Sequence, residues 1–202
     1  MQQFYLEDTV TVGDNVTIEP YAVIKGNTVL HDGCVVGSFC YLNNAEIGDN
    51  SVLMASYVCD STVGNNCTVG PYARLRNNAV VQDNCKVGNF VELKNSVLGG
   101  GSKASHLAYV GDADVGKEVN VGCGVIFVNY DGRHKHRSSI GDGCFLGCNS
   151  NIIAPVSVGK GCYVACNTTV TEDVCDDAFV IGRSKMTVKE QRAKKYIVKK
   201  KE

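Results

Sequence analysis

Residues 140–170 read IGDGCFLGCNSNIIAPVSVGKGCYVACNTTV, and an aliphatic residue returns at every sixth position: Ile140, Leu146, Ile152, Val158, Val164 and Val170. A step of six matches neither the turn of an α-helix nor the alternation of a simple strand. It is the hexapeptide repeat of a parallel β-helix, in which each hexad supplies one short strand and one turn. Working outward, the same step joins Val12, Ile18, Ile24, Leu30, Val36 and Leu42, and again Val63, Val69, Leu75, Val81, Val87 and Leu93. Elsewhere it shortens to five, from Leu93 to Leu98 and from Val110 to Val115. Three hexads close a triangular coil of about 18 residues, and the aliphatic guide points inward onto its equivalent roughly 4.8 Å away. About 160 residues of repeat then predict about nine coils, some 40 Å of prism at that strand spacing.

The fifth position of each hexad also points inward but has little room. Cys34, Cys40, Cys67, Cys85, Cys144 and Cys162 all fall there, four residues after a guide, where a thiol acts as a compact filler. Cys123, Cys148 and Cys166 fall two residues after a guide and are expected on an outward face. The Cys-x₃-Cys spacings at 144/148 and 162/166 admit zinc or a disulfide. One member of each pair points in and the other out, so reduced thiols are the expectation and no metal is expected.

The totals narrow the field. The chain has 202 residues, a net charge of −1, 22 glycines, 3 prolines, no tryptophan and 11 cysteines. Balanced charge, with no basic stretch interleaved with aromatics, argues against nucleic acid as a partner. No apolar run approaches the ~18 residues of a membrane helix, which argues against a membrane. The opening MQQFYLEDTV lacks the basic and apolar segments of a signal peptide. An odd, large set of cysteines without such a signal points to a reducing cytoplasm.

Two regions leave the repeat. Residues 128–139, VNYDGRHKHRSS, read as an inserted loop turning at Asp131-Gly132. Residues 176–202 lose the hexads and end in KKYIVKKKE, either a solvated basic end or an arm that docks on a neighbour or an anionic ligand. The expected organisation is therefore an all-β domain over 1–175 and a basic tail over 176–202. The chemistry is expected in residues 102–135, where the repeat is interrupted and two of the four histidines fall, His106 and His134.

Four segments carry a family resemblance: GPYARLR (70–76), VGNFVELKNS (87–96), GSKASHLAYVGDADVGKEVNVGCG (101–124) and NYDGRHKH (129–136). They resemble the acetyltransferase domain of the bifunctional N-acetylglucosamine-1-phosphate uridyltransferase/glucosamine-1-phosphate acetyltransferase family. The motifs lie in register over about residues 63–183, while residues 1–60 share only the repeat. The resemblance implies a left-handed parallel β-helix, a homotrimer with active sites between prisms, and acetyl-CoA as co-substrate. It implies His106 as catalytic base and Asn129 beside the reacting amine and acetyl group. It places Arg76, Lys94 and Lys135 around a sugar phosphate, and Tyr109 and Asn120 on the sugar. It lines the acetyl-CoA groove with Cys123, Tyr130, Cys148, Cys166 and Arg183, where the first, third and fourth replace the usual Ala or Ser. Glu92 also falls on a motif position, as a site residue or a solvated carboxylate. No nucleotide-binding Gly-rich loop precedes the coils, so uridylyl transfer is expected of a separate protein.

The acceptor expected from the resemblance is glucosamine-1-phosphate. A different amino sugar phosphate or a nucleotide-linked amino sugar keeps the same chemistry. A non-catalytic assembly subunit is the reading from another class, opposed by the retained His106 and Asn129.

Overall fold

In the computed structural model, which describes residues 3–196, each hexad forms a strand of mostly two to four residues and each inter-hexad turn a corner. All pairings between these strands are parallel, most linking a strand to the third one after it. The strands stack into a three-faced prism of ten coils, one more than the sequence count. The first face runs from Thr17–Ile18 to Phe179–Val180 and forms a ten-stranded sheet of its own. The second face holds Arg74–Arg76, Glu92–Lys94, Tyr109–Gly111 and Ile126–Val128. The third holds Val80–Val81, Val97–Leu98, Ala113–Val115 and Ser138–Ile140.

Most corners are turned by a residue of positive φ. Asn50, Asn66 and Asn84 do so between the third and first faces, and Asn44, Asn95 and Asp112 between the second and third. Short amide and carboxylate side chains tolerate this conformation because they bond the local backbone. The corner between the third and first faces also carries a ladder of side-chain bonds to the backbone of the preceding coil. Asp32 Oδ1 accepts from Asp14 N at 2.8 Å, Asn65 Oδ1 from Asp49 N at 2.7 Å, and Asp83 Oδ1 from Asn65 N at 2.7 Å.

The guides fill the core as the hexads predict. Leu42, Leu75, Leu93, Leu146 and Ile152 are fully buried. The exceptions lie at the ends, where a coil has a neighbour on one side alone: Val12 is 41 % exposed, and Ile18 and Val180 are only partly buried. The six inward cysteines are buried, and one column holds both cysteines and serines. Ser51 Oγ donates to Gly64 O at 2.7 Å, Cys67 Sγ to Gln82 O at 3.0 Å, Cys85 Sγ to Gly99 O at 3.1 Å and Ser102 Oγ to Gly116 O at 2.8 Å. At these positions the hydrogen of Ser or Cys thus goes to a carbonyl of the next coil. Burial pushes the Cys34 thiol up to about 11, which holds it neutral.

Three expectations change in detail. The repeat is not interrupted across 102–128, because Ala104 and Phe127 occupy guide positions, both buried, and Val110, Val115 and Val121 continue the series. Only 129–137 leaves the prism, since Val128 and Ser138 belong to strands. The prism also extends past residue 175. Phe179–Val180 pairs with Tyr163–Val164, and Val180 lies six residues after Val174, which bridges Val158. Of the basic end, residues 197–202 lie outside the described residues.

Candidate active site

The parallel register decides which expected residues become neighbours. Arg74, Glu92, Tyr109 and Ile126 form one outward column on the second face, and Arg76, Lys94 and Gly111 form another. On the first face Asn89 pairs with His106, and Lys86, Lys103 and Asn120 form a column. The two faces meet at Leu107, so His106 and Tyr109 flank one edge of the prism.

His106 is exposed, and its Nδ1 lies 2.6 Å from Asn89 Oδ1. An amide oxygen can only accept, so Nδ1 carries the proton and the Nε2 lone pair is left free. A tethered imidazole with an open Nε2 is a competent proton acceptor. An open groove of about 410 Å³ runs beside it, between Lys86, Gly88, Asn89, Tyr72 and Phe90. A hollow of about 530 Å³ on the third face, near Gln82, Asp83, Lys117 and Glu118, holds none of the expected site residues.

At the far edge of the second face a carboxylate that sequence reasoning overlooked gathers three expected or neighbouring groups. Asp112 accepts from Lys94 Nζ at 2.7 and 2.8 Å, from Asn95 Nδ2 at 2.6 Å, and from Asn129 Nδ2. Asn129 Nδ2 also lies 3.4 Å from the Tyr109 hydroxyl. Burial pushes the Asp112 carboxyl up, but the bonds from Lys94, Asn95 and Asn129 outweigh it and hold the group below the usual carboxylate range. Lys94 is only 6 % exposed. Its ammonium is bonded to Asp112, whereas the resemblance places it around a sugar phosphate. Gly111 belongs here too, because a Cβ on it would lie 2.4 Å from the Tyr109 hydroxyl.

Arg76 is half-buried, with Nε 2.7 Å from Glu92 Oε1, so Glu92 is an ion-pair partner. The inserted loop is pinned at both ends, by Asn129 on Asp112 and by Arg137. The Arg137 Nε reaches Asp114 Oδ2 at 2.6 Å, its Nη2 reaches the other oxygen, and its Nη1 donates to Asn95 O at 2.8 Å. Inside the loop, Asp131 Oδ1 accepts from Arg133 N at 2.7 Å and from His134 N at 2.6 Å, and its Oδ2 lies 2.7 Å from His136 Nε2. Tyr130 donates to Gly132 O at 2.7 Å, and Lys135 is exposed and pairs with Tyr130 only through the backbone bridge. Asn120 is exposed on the first face, away from this cluster. Cys123, Cys148 and Cys166 do stack on successive coils, at the edge between the first and second faces, through Asn149 N to Cys123 O and Asn167 N to Cys148 O, both 2.8 Å. Arg183 joins them, with Nη1 3.2 Å from Cys166 O and 3.0 Å from its Sγ. Asp112, Asn95, Asn89 and Arg137 were missed because Asn, Asp and Arg at corners read as turn and surface chemistry.

The chain is 46 % identical over 186 residues to the bifunctional protein GlmU of Clostridioides difficile, an alignment covering 92 % of this chain and 40 % of that protein. The GlmU of a Geobacillus strain is 45 % identical over 196 residues, covering 97 % of this chain and 43 % of that one. Residues 137–172 match the family described as bacterial transferase hexapeptide (six repeats). Nearly the whole chain is thus similar to a part of GlmU, and it carries the hexapeptide repeat. It spans about two fifths of the length of these GlmU relatives. The likeness is wider than the motifs at 63–183, since it takes in nearly the whole chain. Residues 1–84 match a second family, the GMPPB C-terminal domain. Among solved structures, the UDP-N-acetylglucosamine acyltransferases of Francisella novicida and Campylobacter jejuni superpose with TM-scores of 0.61 and 0.58. Both are 18 % identical, each alignment covers 84 % of this chain, and they cover 61 % and 66 % of those chains. At that identity they speak for the GlmU-like prism alone. No helix among the described residues is long and apolar enough to cross a membrane.

Proposed function

We propose that this chain transfers the acetyl group of acetyl-CoA to the amine of glucosamine-1-phosphate, with His106 as general base. The observation that carries the reading is the exposed imidazole held through Nδ1 by Asn89, with Nε2 free. The acceptor arrives largely as an ammonium ion, which has no lone pair for attack. Nε2 takes its proton, the amine adds to the thioester carbonyl, and the C–S bond breaks as the amide forms, the nitrogen releasing its second proton to solvent. The imidazolium then returns its proton to the leaving thiolate, so the base is regenerated. Such a base contributes about 10²–10⁴ in rate. Cys123, Cys148, Cys166 and Arg183 line the edge that would take the pantetheine arm and the CoA phosphates.

The expected residues lie on two faces and a loop of a convex prism, so no single copy encloses them. A second and third copy around a threefold axis would supply the missing walls. Exposed Tyr21, Phe39, Tyr72, Phe90 and Leu107 form an apolar edge suited to such packing.

One observation favours a second acceptor. Lys94, expected to meet the phosphate, is buried on Asp112, which leaves Arg76 and Lys135 and weakens the case for a dianion. The test is acetyl-CoA with a panel of amino sugars and amino sugar phosphates, products read by mass. Acetylation of glucosamine-1-phosphate, lost in His106→Ala, by a particle of three copies in light scattering is the expected result. Turnover confined to another amino sugar would change the substrate. No turnover on any acceptor would overturn the reading.

A further inference from the structure

Asp112 stands at a corner where the chain leaves the second face, and an Asp there is explained by positive φ alone. Its burial is not so explained. The residue is 5 % exposed and its carboxylate is surrounded by donors from the coils on either side: Lys94 and Asn95 from the one before, and Asn129 from the one after. Asn44 and Asp60 at the same corner on earlier coils are exposed, as an ordinary turn residue is. Something beyond the turn is served at Asp112.

The consequence falls on Asn129. A carboxylate can only accept, so the Asn129 amide must present its NH₂ group to Asp112. The opposite orientation would set two oxygens against each other. Its Oδ1 is therefore fixed on the side away from Asp112. Asn129 begins the inserted loop, so the same bond sets where the loop leaves the prism. Lys94, paired to both carboxylate oxygens, keeps Asp112 charged and fixed in rotation. The Tyr109 hydroxyl, 3.4 Å from the same amide nitrogen, bounds the other side.

We propose that Asp112 is the positioning residue of the acyl-transfer site, orienting Asn129 so that its side-chain oxygen accepts a hydrogen from the acceptor amine. In this arrangement Asn129 is an acceptor for N–H and not a donor to the carbonyl oxygen, because its donor group is committed. Lys94 is part of the same device, and its contribution to substrate is made through Asp112. The proposal rests on the acetyl-transfer reading above.

The experiment compares wild type, Asp112→Asn, Asn129→Ala and the double variant on the full chain, with separate kcat and KM values for acceptor and acetyl-CoA. Asp112→Asn is expected to lower kcat by about tenfold to a hundredfold, while KM for acetyl-CoA stays within about twofold. On the Asn129→Ala background the same change is expected to have no further effect, since the two act as one unit. A kcat within about twofold of wild type, or an equal loss on both backgrounds, overturns the proposal. Where Asp112→Asn strands a buried ammonium and unfolds, Lys94→Met with Asp112→Leu removes both charges and is read the same way. A crystal structure of the variant supplies a readout independent of activity. If wild type proves inactive on every acceptor, the functional reading fails. The positioning claim then stands on whether Asn129 rotates and the loop shifts in the variant, and an unmoved Asn129 sinks it.

Discussion

His106 and Asn89 sit at the same place on successive coils, so a hydrogen bond between them follows from register alone. Asp112 and Lys94 also lie one coil apart, but their bond turns two costly buried charges into a pair with most valences met. Both cases show a side chain whose chemistry is set by the residue 17 or 18 positions away. Asp131 is a contrasting carboxylate, exposed in the loop, whose backbone bond from His134 leads those from His136 and Arg133 in lowering it from 3.8 to about 2. A depressed acid contributes its bonds fully above the unfolded value and loses them as the pH falls through the folded one. The loop hairpin at 131–136 is therefore expected to hold its amides protected down to about pH 4 and to release them between there and about pH 2. Amide exchange of Arg133 and His134 across that range measures it, and protection unchanged at pH 2 would contradict the assignment.

At the scale of elements, coils lie so close that some positions have no room for a side chain. A Cβ on Gly88 would stand 2.0 Å from Ser105 O, a backbone atom locked in the next coil. The Cβ on Gly111 would meet the far end of the Tyr109 ring, which can swing. Gly88→Ala is thus expected to destabilise by about 2 kcal/mol or more. Gly111→Ala should leave the melting temperature within a few degrees and raise the acceptor KM as Tyr109 moves. Thermal melts beside acceptor kinetics separate the two, and equal melts would show that the coils yield more than their spacing suggests. The inserted loop obeys the same geometry. It leaves the prism at a corner, and Asn129 and Arg137 tie its ends back to Asp112 and Asp114.

Over the whole molecule each coil touches only its neighbours, so stability is a sum of local stacking terms. Leu93, fully buried in the middle of the stack, should lose about 2–5 kcal/mol on change to alanine. Ile18 lies in the open first coil and is only partly buried, so Ile18→Ala should lose less than half as much. Chemical denaturation of the two variants checks this, and equal losses would mean that the first coil is covered in solution. An assembly around the apolar edge would cover the flank of the prism and leave its ends open.

The hexad pattern by itself determined the architecture, because an aliphatic residue every six positions can be buried in no other regular way. It also placed the small inward slots and the inserted loop, while the candidate base His106 came from the family resemblance of its motif. The site's wiring was decided only in three dimensions. Apart from the 25-residue coil that carries the loop, coils are 16, 17 or 18 residues long, depending on which corners are shortened, and a corner missing one residue shifts every later column. Until those lengths are set, nothing in the string says that Lys94 faces Asp112, that Asn89 holds His106, or that Arg137 grips Asp114. Partnership in a coiled stack depends on accumulated register, and register is a property of the folded chain.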